Sequence, residues 1–322
     1  MLVPVLLFAL GLILLIKGGD WFVDGATGIA HRFHVPELLI GATVVSIGTT
    51  LPEVMVSATS AIGGHGEIAY GNAIGSIICN PSLIAALTIA IRPSKVDRKA
   101  LVQPLLFFFG SAIFYSATAY VTGYFSRVTG FLLLAIFVAY MFTLIRKALT
   151  QPSAPAEGEE EANSSGSMAK DIILLVVGAA VIAVGADLLV DNGTLIAQAL
   201  GVPESVIALT FVALGTSLPE FVTAITSLIK GHSALSLGNI IGANLFNLVL
   251  VSGVSVALSP FAVPASKTIG GMNASLVVDI PVMFIVMLMM AVPALKNGKL
   301  ARWQGIALLC VYAAFCVFQF AA

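Results

Sequence analysis

The sequence predicts an all-α polytopic membrane protein, with ten transmembrane helices built as two inverted five-helix repeats. Three observations carry that prediction. Of 322 residues, 59% are hydrophobic and 10% charged, with a mean hydropathy of +1.05, whereas a soluble domain is about one quarter charged. Apolar runs long enough to cross a bilayer, about 18 residues or more, recur along the chain. Finally, residues 20–80 align without a gap on residues 187–247 at a constant shift of 167, and 27 of those 61 pairs are identical.

Taken in order, the spans read as 2–27, 36–62, 67–92, 101–122, 127–148, 169–192, 203–230, 234–258, 275–295 and 301–321. The first run, LVPVLLFALGLILLI, lacks a basic leader and a small-residue cleavage site, so it reads as a retained span and not a signal peptide. Between the fifth and sixth spans lies QPSAPAEGEEEANSSGS, rich in Pro, Ala, Gly and Glu and without apolar periodicity. It reads as a solvated linker. The expected organisation is therefore a first five-helix repeat over 1–150, an acidic linker over 151–168 and a second repeat over 169–322. Five spans per repeat is odd, so the second repeat must cross the membrane in the opposite sense.

Charge sets the orientation. With the N-terminus outside, the inside segments hold Arg32, Arg92, Lys95, Arg98, Lys99, Arg146, Lys147, Lys170, Lys230, Lys296, Lys299 and Arg302, and the outside loops only Arg127 and Lys267. Twelve against two is a strong positive-inside bias. The expectation is a multi-pass protein of the cell's inner (plasma) membrane, with both termini outside and the linker cytoplasmic. The lipid bilayer is its first partner, and a net charge of −1 implies no nucleic-acid partner. Cys79, Cys310 and Cys316 are scattered within spans, which excludes a disulfide framework or a metal-ligand spacing and reads as small buried apolar packing. No cofactor is implied.

The duplicated segments keep polar residues in register. SIGTTLPE (46–53) aligns on ALGTSLPE (213–220), which places a Pro and a Glu inside an apolar run twice. Pro52 and Pro219 remove backbone donors and Gly48 and Gly215 add freedom, so carbonyls near 46–49 and 213–216 are expected to lose helical partners. Unpaired carbonyls at membrane depth are tolerated only when buried in protein or lining a wet cavity. Hydroxyls of Thr49, Thr50, Thr216 and Ser217, with the carboxylates of Glu53 and Glu220, complete an all-oxygen set suited to a hard cation such as Ca²⁺ or Na⁺. YGNAIGSIICNP (70–81) and LGNIIGANLFNL (237–248) form a second matched pair. Asn80 and Asn247 sit deep in their spans, where an unpartnered amide is costly. Asn72 and Asn239 read equally well as helix caps.

Two G-T-[TS]-L-P-E segments, each followed by G-N-x-I-G-[SA], resemble the α-repeats of the Ca²⁺/cation antiporter superfamily, most closely its bacterial and archaeal Na⁺/Ca²⁺ exchanger-like members. The resemblance covers essentially the whole chain and puts the α-repeats at 36–92 and 203–258. It implies a central Ca²⁺ site of Glu53, Glu220 and the carbonyls of Thr49 and Thr216. It also implies an outer Na⁺ site from the Ala213 carbonyl, Ser217, Glu220 and Ser76, and an inner one from the Ser46 carbonyl, Thr50, Glu53 and residue 243, with Asn80 and Asn247 flanking the middle. Two positions depart from the family pattern. Residue 243 is Ala, where its repeat partner is Ser76, so one hydroxyl is missing; residue 247 is Asn, where some members carry Asp. The H⁺/Ca²⁺ branch resembles G-N-A-x-E at the place where this chain has Gly75 and Gly242.

The function expected is secondary active exchange of Ca²⁺ for Na⁺ by alternating access, with transported Ca²⁺ and Na⁺ as its ligands. An H⁺-coupled antiporter of Ca²⁺ or another divalent cation is the alternative, followed by a cation channel. No Ser-His, Cys-His or metal-hydrolase constellation supports an enzyme. Among the remaining polar residues, Asp20, Asp24, Asp187 and Asp191 read as solvated helix-end acids, and Lys17 is spaced to pair with Asp20. His65 and His232 read as turn residues, and Asp279 before Pro281 as the N-cap of the ninth span.

Overall fold

The computed structural model describes residues 2–33, 35–150, 167–200, 215–265 and 268–321. The expected architecture stands: the molecule is all-helical apart from two-residue strand pairings in its loops. The helices are α1 (Leu2–Arg32), α2 (Glu37–Ile62), α3 (Gly66–Ile91), α4 (Arg98–Thr122), α5 (Arg127–Thr150), α6 (Met168–Ala199), α7 (Leu218–Lys230), α8 (Ser233–Leu258), α9 (Ser275–Asn297) and α10 (Arg302–Ala321). Among the described residues, nine helices are long and apolar enough to cross a membrane. Of the seventh expected span, 203–230, residues 203–214 lie outside the described residues, as do 151–166 of the linker and Lys267.

Burial sorts the helices into a centre and a flank. Of the apolar stretch of each, 83% is buried in α8 and 72% in α3, against 22% in α1 and in α6. The two α-repeat helices are thus the axis of the molecule, and α1 and α6 lie along its side. At 31 and 32 residues these two exceed the ~20 residues that a bilayer core requires. They pack antiparallel along a glycine seam. A Cβ at Gly11 would stand 2.9 Å from the Gly185 carbonyl, and one at Gly18 would stand 2.9 Å from the Ile182 amide. Gly178 and Gly185 are the repeat partners of Gly11 and Gly18 and face the same seam from the other side. Without side chains the two backbones approach closely, which is how membrane helices gain contact when hydrophobic burial offers no difference between lipid and protein.

The loops alternate between two ends, as ten spans require. At one end β1 (Ser94–Lys95) pairs antiparallel with β6 (Lys299–Leu300), joining the α3–α4 and α9–α10 connections. The other end holds β2 (Tyr124–Phe125) against β3 (Phe261–Ala262), which joins the α4–α5 and α8–α9 connections. A small hairpin, β4 (Thr268–Ile269) with β5 (Met272–Asn273), turns on Gly270 and Gly271, both at positive φ as this turn demands.

Four local expectations are corrected. Asp279 is not a cap: α9 begins at Ser275, whose amide is bonded by the Asn273 side chain at 2.8 Å. The helical Asp279 instead accepts from Gln319 on α10 at 2.9 Å. Asp20 and Asp24 are not simply solvated, because Lys230 at the end of α7 reaches them at 3.5 and 2.7 Å; it is Lys230, and not Lys17, that holds Asp20. Cys79 is buried as expected, but Cys310 is exposed on the outer face of α10. His232 is more than a turn residue, since its Nδ1 lies 2.7 Å from Glu37 Oε1 at the start of α2. Arg32 on α1 likewise bonds Asp171 on α6 at 3.0 Å. These ion pairs tie α1, α2, α6 and the α7–α8 turn together at the end that carries the basic residues.

The Glu37 hydrogen bond raises the His232 pKa above its ordinary 6.5, against the opposing effects of partial burial and Lys230, and with help from Asp24. A group whose folded pKa is raised lends stability that is complete below the unfolded value and fades as pH rises through the folded one. Both side chains are partly exposed, so the effect is screened. Thermal melts from pH 6 upward are expected to show a small loss of stability in the wild-type chain that His232→Gln lacks. Parallel curves for the two proteins would refute the pairing.

Candidate cation-binding site

The site lies where α2 and α7 meet the centres of α3 and α8. On α2, Ser46, Thr49, Thr50 and Glu53 are all buried, and so are Ser217, just before α7, and Glu220 on it. Ser76 and Asn80 lie one turn apart on α3, with Asn247 at the matching place on α8; all three are buried. Thr216 is half-buried, and Ala213 lies outside the described residues. Thr50 Oγ1 donates to Glu220 Oε1 at 3.4 Å, which brings the acidic residue of one half against the threonine segment of the other.

The two Pro-containing segments differ more than their sequences suggest. In the first half the helix runs unbroken from Ser46 to Ile62 through Pro52. Pro52 has no N–H for the Gly48 carbonyl, and the backbone is displaced one turn upstream, in a π turn at Gly41–Val45. In the second half Thr216 and Ser217 form a turn, and α7 starts at Leu218, so that Pro219 sits in the first helical turn, where a missing N–H costs nothing. The expected breakage of both helices is therefore found in the second half only.

Two further π turns were not legible in the sequence. Asn80 opens one (Asn80–Ala85) and its repeat partner Asn247 the other (Asn247–Val251). Such bulges often occur at functional sites because they re-aim side chains and free carbonyls. Serines five residues on donate to the first carbonyl of two of the widened turns, Ser46 to Gly41 at 2.7 Å and Ser252 to Asn247 at 3.1 Å. Ser46 thus spends its hydroxyl on structure.

A set of buried polar atoms remains without a hydrogen-bond partner among the described residues. Among them are both carboxylate oxygens of Glu53, Oε2 of Glu220, the Ser217 hydroxyl and the whole amides of Asn80 and Asn247, beside others such as the hydroxyls of Thr223 and Ser227, Asn239 Nδ2 and Asn244 Oδ1. Buried polar groups are otherwise nearly always paired. Their oxygens are hard donors with two carboxylates among them, and no nitrogen or sulfur ligand set accompanies them, which fits Ca²⁺ or Na⁺ as cargo. Ala243 is fully buried and adds no hydroxyl. A largely apolar cavity of about 880 Å³ beside α6 reaches Thr49 and Thr216 and is also lined by Asp187 and Asp191.

Asn72 and Asn239 lie six residues inside α3 and α8, which excludes a capping role. Their amides instead bond across the halves to Thr216 and Thr49. Their spacing, one turn before Ser76 and Ala243, carried the only hint.

The model of the family described as sodium/calcium exchanger protein matches residues 3–146 and 170–321, nearly the whole chain. The chain belongs to the sodium/calcium exchanger family. As such it is a cation antiporter of the membrane and not an enzyme. It is 37% identical over 309 residues to an uncharacterised membrane protein of Methanocaldococcus jannaschii, covering 95% of this chain and 94% of that one. To the sodium/calcium exchanger MaX1 of Methanosarcina acetivorans it is 30% identical over 357 residues, covering 98% of each chain. To the inner membrane protein YrbG of Escherichia coli it is 34% identical over 265 residues, covering 81% of each. The structure of the sodium-calcium exchanger NCX_Mj soaked with 2.5 mM Na⁺ and 0.1 mM Ca²⁺ superposes with a TM-score of 0.81 at 33% identity, over 98% of this exchanger and 97% of that chain.

The unpartnered amides have a measurable consequence in this exchanger. Replacing a buried, unsatisfied polar group by an apolar one of similar shape removes a penalty of about 1–3 kcal/mol. Asn247→Leu is therefore expected to raise the melting temperature in buffer free of Na⁺ and Ca²⁺. A lower melting temperature in ion-free buffer would contradict the environment described for Asn247.

Proposed function

We propose that this exchanger moves Ca²⁺ against Na⁺ across the cell's inner membrane by alternating access at one midplane site. The observation that carries the reading is the pair of fully buried carboxylates, Glu53 and Glu220, one from each half and short of hydrogen-bond partners. Glu53, Glu220 and the carbonyls of Thr49 and Thr216 hold Ca²⁺ at the centre. Na⁺ binds on either side, through the Ala213 carbonyl, Ser217, Glu220 and Ser76 on one and through the Ser46 carbonyl, Thr50 and Glu53 on the other. Asn80 and Asn247 line the middle. The structures of NCX_Mj soaked with Na⁺ together with Ca²⁺ or Sr²⁺ support the choice of cargo.

The coupling follows from electrostatics. Two carboxylates buried at membrane depth cannot both stay charged and unloaded at acceptable cost. One Ca²⁺ or several Na⁺ neutralise them equally well, so each loaded form can change its facing while the empty form cannot. The halves 1–150 and 169–322 supply one carboxylate each, and the linker 151–168 joins them on the cytoplasmic side, with both termini outside. The twelve-to-two bias of basic residues supports that orientation. Asn at 247 leaves two acids at the site, which argues against an additional K⁺. Ala243 leaves the inner Na⁺ position one hydroxyl short, so Na⁺ binds more weakly there. Gly75 and Gly242, at the acidic position of the H⁺-coupled branch, favour Na⁺ as the counter-ion.

The test is Ca²⁺ uptake into liposomes holding the purified protein and preloaded with Na⁺, K⁺ or acid. Uptake is expected with Na⁺ inside and at background level with K⁺ or acid inside. Glu53→Gln and Glu220→Gln are each expected to bring Na⁺-driven uptake to background while the proteins remain folded. Uptake driven by acid alone would establish H⁺ coupling instead, and flux indifferent to every opposing gradient would indicate a channel. Retained uptake in either glutamine variant would overturn the site assignment.

A further inference from the structure

We infer that Asn72 and Asn239 are positioning residues, reciprocal clamps that each hold the cation-binding threonine of the opposite half, and that the two clamps are unequal. The inference rests on the site proposed above. Asn72 Oδ1 accepts from Thr216 Oγ1 at 3.2 Å, and Asn239 Oδ1 accepts from Thr49 Oγ1 at 3.2 Å. The shift of 167 that relates the repeats carries Asn72 onto Asn239 and Thr49 onto Thr216, so each bond is the symmetry mate of the other. Both cross between halves. Neither half can orient its own threonine alone: α3 of the first holds the segment before α7, and α8 of the second holds α2. A hydroxyl fixed in this way restrains the rotation of the segment whose carbonyl faces the cation, three residues before each proline.

Symmetry fails at the other end of each amide. Asn72 Nδ2 donates to Ser57 Oγ at 2.8 Å and to the Glu53 carbonyl at 3.2 Å. Since a carbonyl only accepts, that amide can face only one way. Asn239 is fully buried, and Ser46 Oγ, whose proton goes to the Gly41 carbonyl, lies 3.2 Å from its Oδ1, but its Nδ2 has no partner among the described residues. Turning the amide over would leave the oxygen unpartnered instead, since a hydroxyl can accept as well as donate. The two acceptors of Asn72 map onto the Glu220 carbonyl, which Asn239 does not bond, and onto Ala224, fully buried on α7, where the Ser57 hydroxyl has no counterpart. Thr49 is therefore held by the weaker clamp and Thr216 by the stronger.

The test measures Na⁺-driven Ca²⁺ uptake in liposomes as a function of Ca²⁺ for the wild type, Asn72→Ala, Asn239→Ala, Ala224→Ser and the double variant Asn239→Ala/Ala224→Ser, with a melting temperature for each. Loss of a buried hydrogen-bonded amide is expected to raise half-saturating Ca²⁺ about tenfold in Asn72→Ala and about threefold in Asn239→Ala, with a smaller change in maximal rate. Ala224→Ser supplies the absent hydroxyl and is expected to lower half-saturating Ca²⁺ about threefold, an effect that vanishes in the double variant because it acts through Asn239. A purely structural role would lower melting temperature and yield without moving half-saturation. Unchanged half-saturation in Asn72→Ala, or an Ala224→Ser effect of equal size with and without Asn239, overturns the inference while wild-type uptake stands. The Ala224 cycle decides the matter even where Asn72→Ala fails to fold. A wild-type protein that carries no Ca²⁺ overturns the proposed function, and this inference falls with it.

Discussion

Glu53 and Glu220 sit fully buried in a medium where no water can solvate them, and the rest of the architecture answers to that constraint. A buried carboxylate needs a proton, a counter-ion or a dense set of donors. This chain supplies few donors. Thr50 reaches one oxygen of Glu220, and three of the four carboxylate oxygens are left without a partner among the described residues. A proton or a cation would supply what such a cluster lacks, and the proposed function assigns that part to a cation. On that assignment, dependence on a cation separates a transport site from a structural ion pair.

The helices are arranged so that this cluster can be both enclosed and shared. α3 and α8 form the buried axis and contribute the amides, whereas α2 and α7 bring the acids. Where α8 meets α2, Gly238 faces the Leu38 carbonyl and Gly242 faces Ser46, so the two backbones close on each other without intervening side chains. On the flank, α1 and α6 meet along a glycine seam bordered by the buried side chains of Leu15, Phe22, Ile182 and Ala186. At one end they are fastened by Arg32 to Asp171 and by Lys230 to Asp20 and Asp24. The repeat partner of Lys230 is Gly63, so the equivalent acids Asp187 and Asp191 face no equivalent lysine. The duplication is thus symmetric at the carboxylates and asymmetric in the groups that surround them.

Much of this was legible because membranes impose coarse rules. Span length follows from bilayer thickness, while the 167-residue shift matches Glu53 to Glu220 and Asn80 to Asn247. What escaped the sequence depends on backbone detail or on partners far away in the chain. Pro52 predicted a break, yet the helix runs on through it, with a π turn upstream at Gly41–Val45. The π turns at Asn80 and Asn247 leave no compositional mark. Asp279 resembled a cap because it precedes Pro281, but its partner Gln319 lies forty residues away on another helix. Asn72 and Asn239 were ambiguous for the same reason, since each meets a threonine of the opposite repeat.

The central claim is that Na⁺ and Ca²⁺ occupy one shared set of oxygens around Glu53 and Glu220. Equilibrium Ca²⁺ binding to the purified protein, measured by calorimetry at a series of Na⁺ concentrations with K⁺ or choline holding ionic strength constant, tests it most directly. Shared ligands predict that the apparent Kd for Ca²⁺ rises steadily with Na⁺ while the number of sites stays fixed, and that K⁺ and choline have no such effect. Ca²⁺ affinity unmoved by Na⁺ would mean separate sites and would contradict the account.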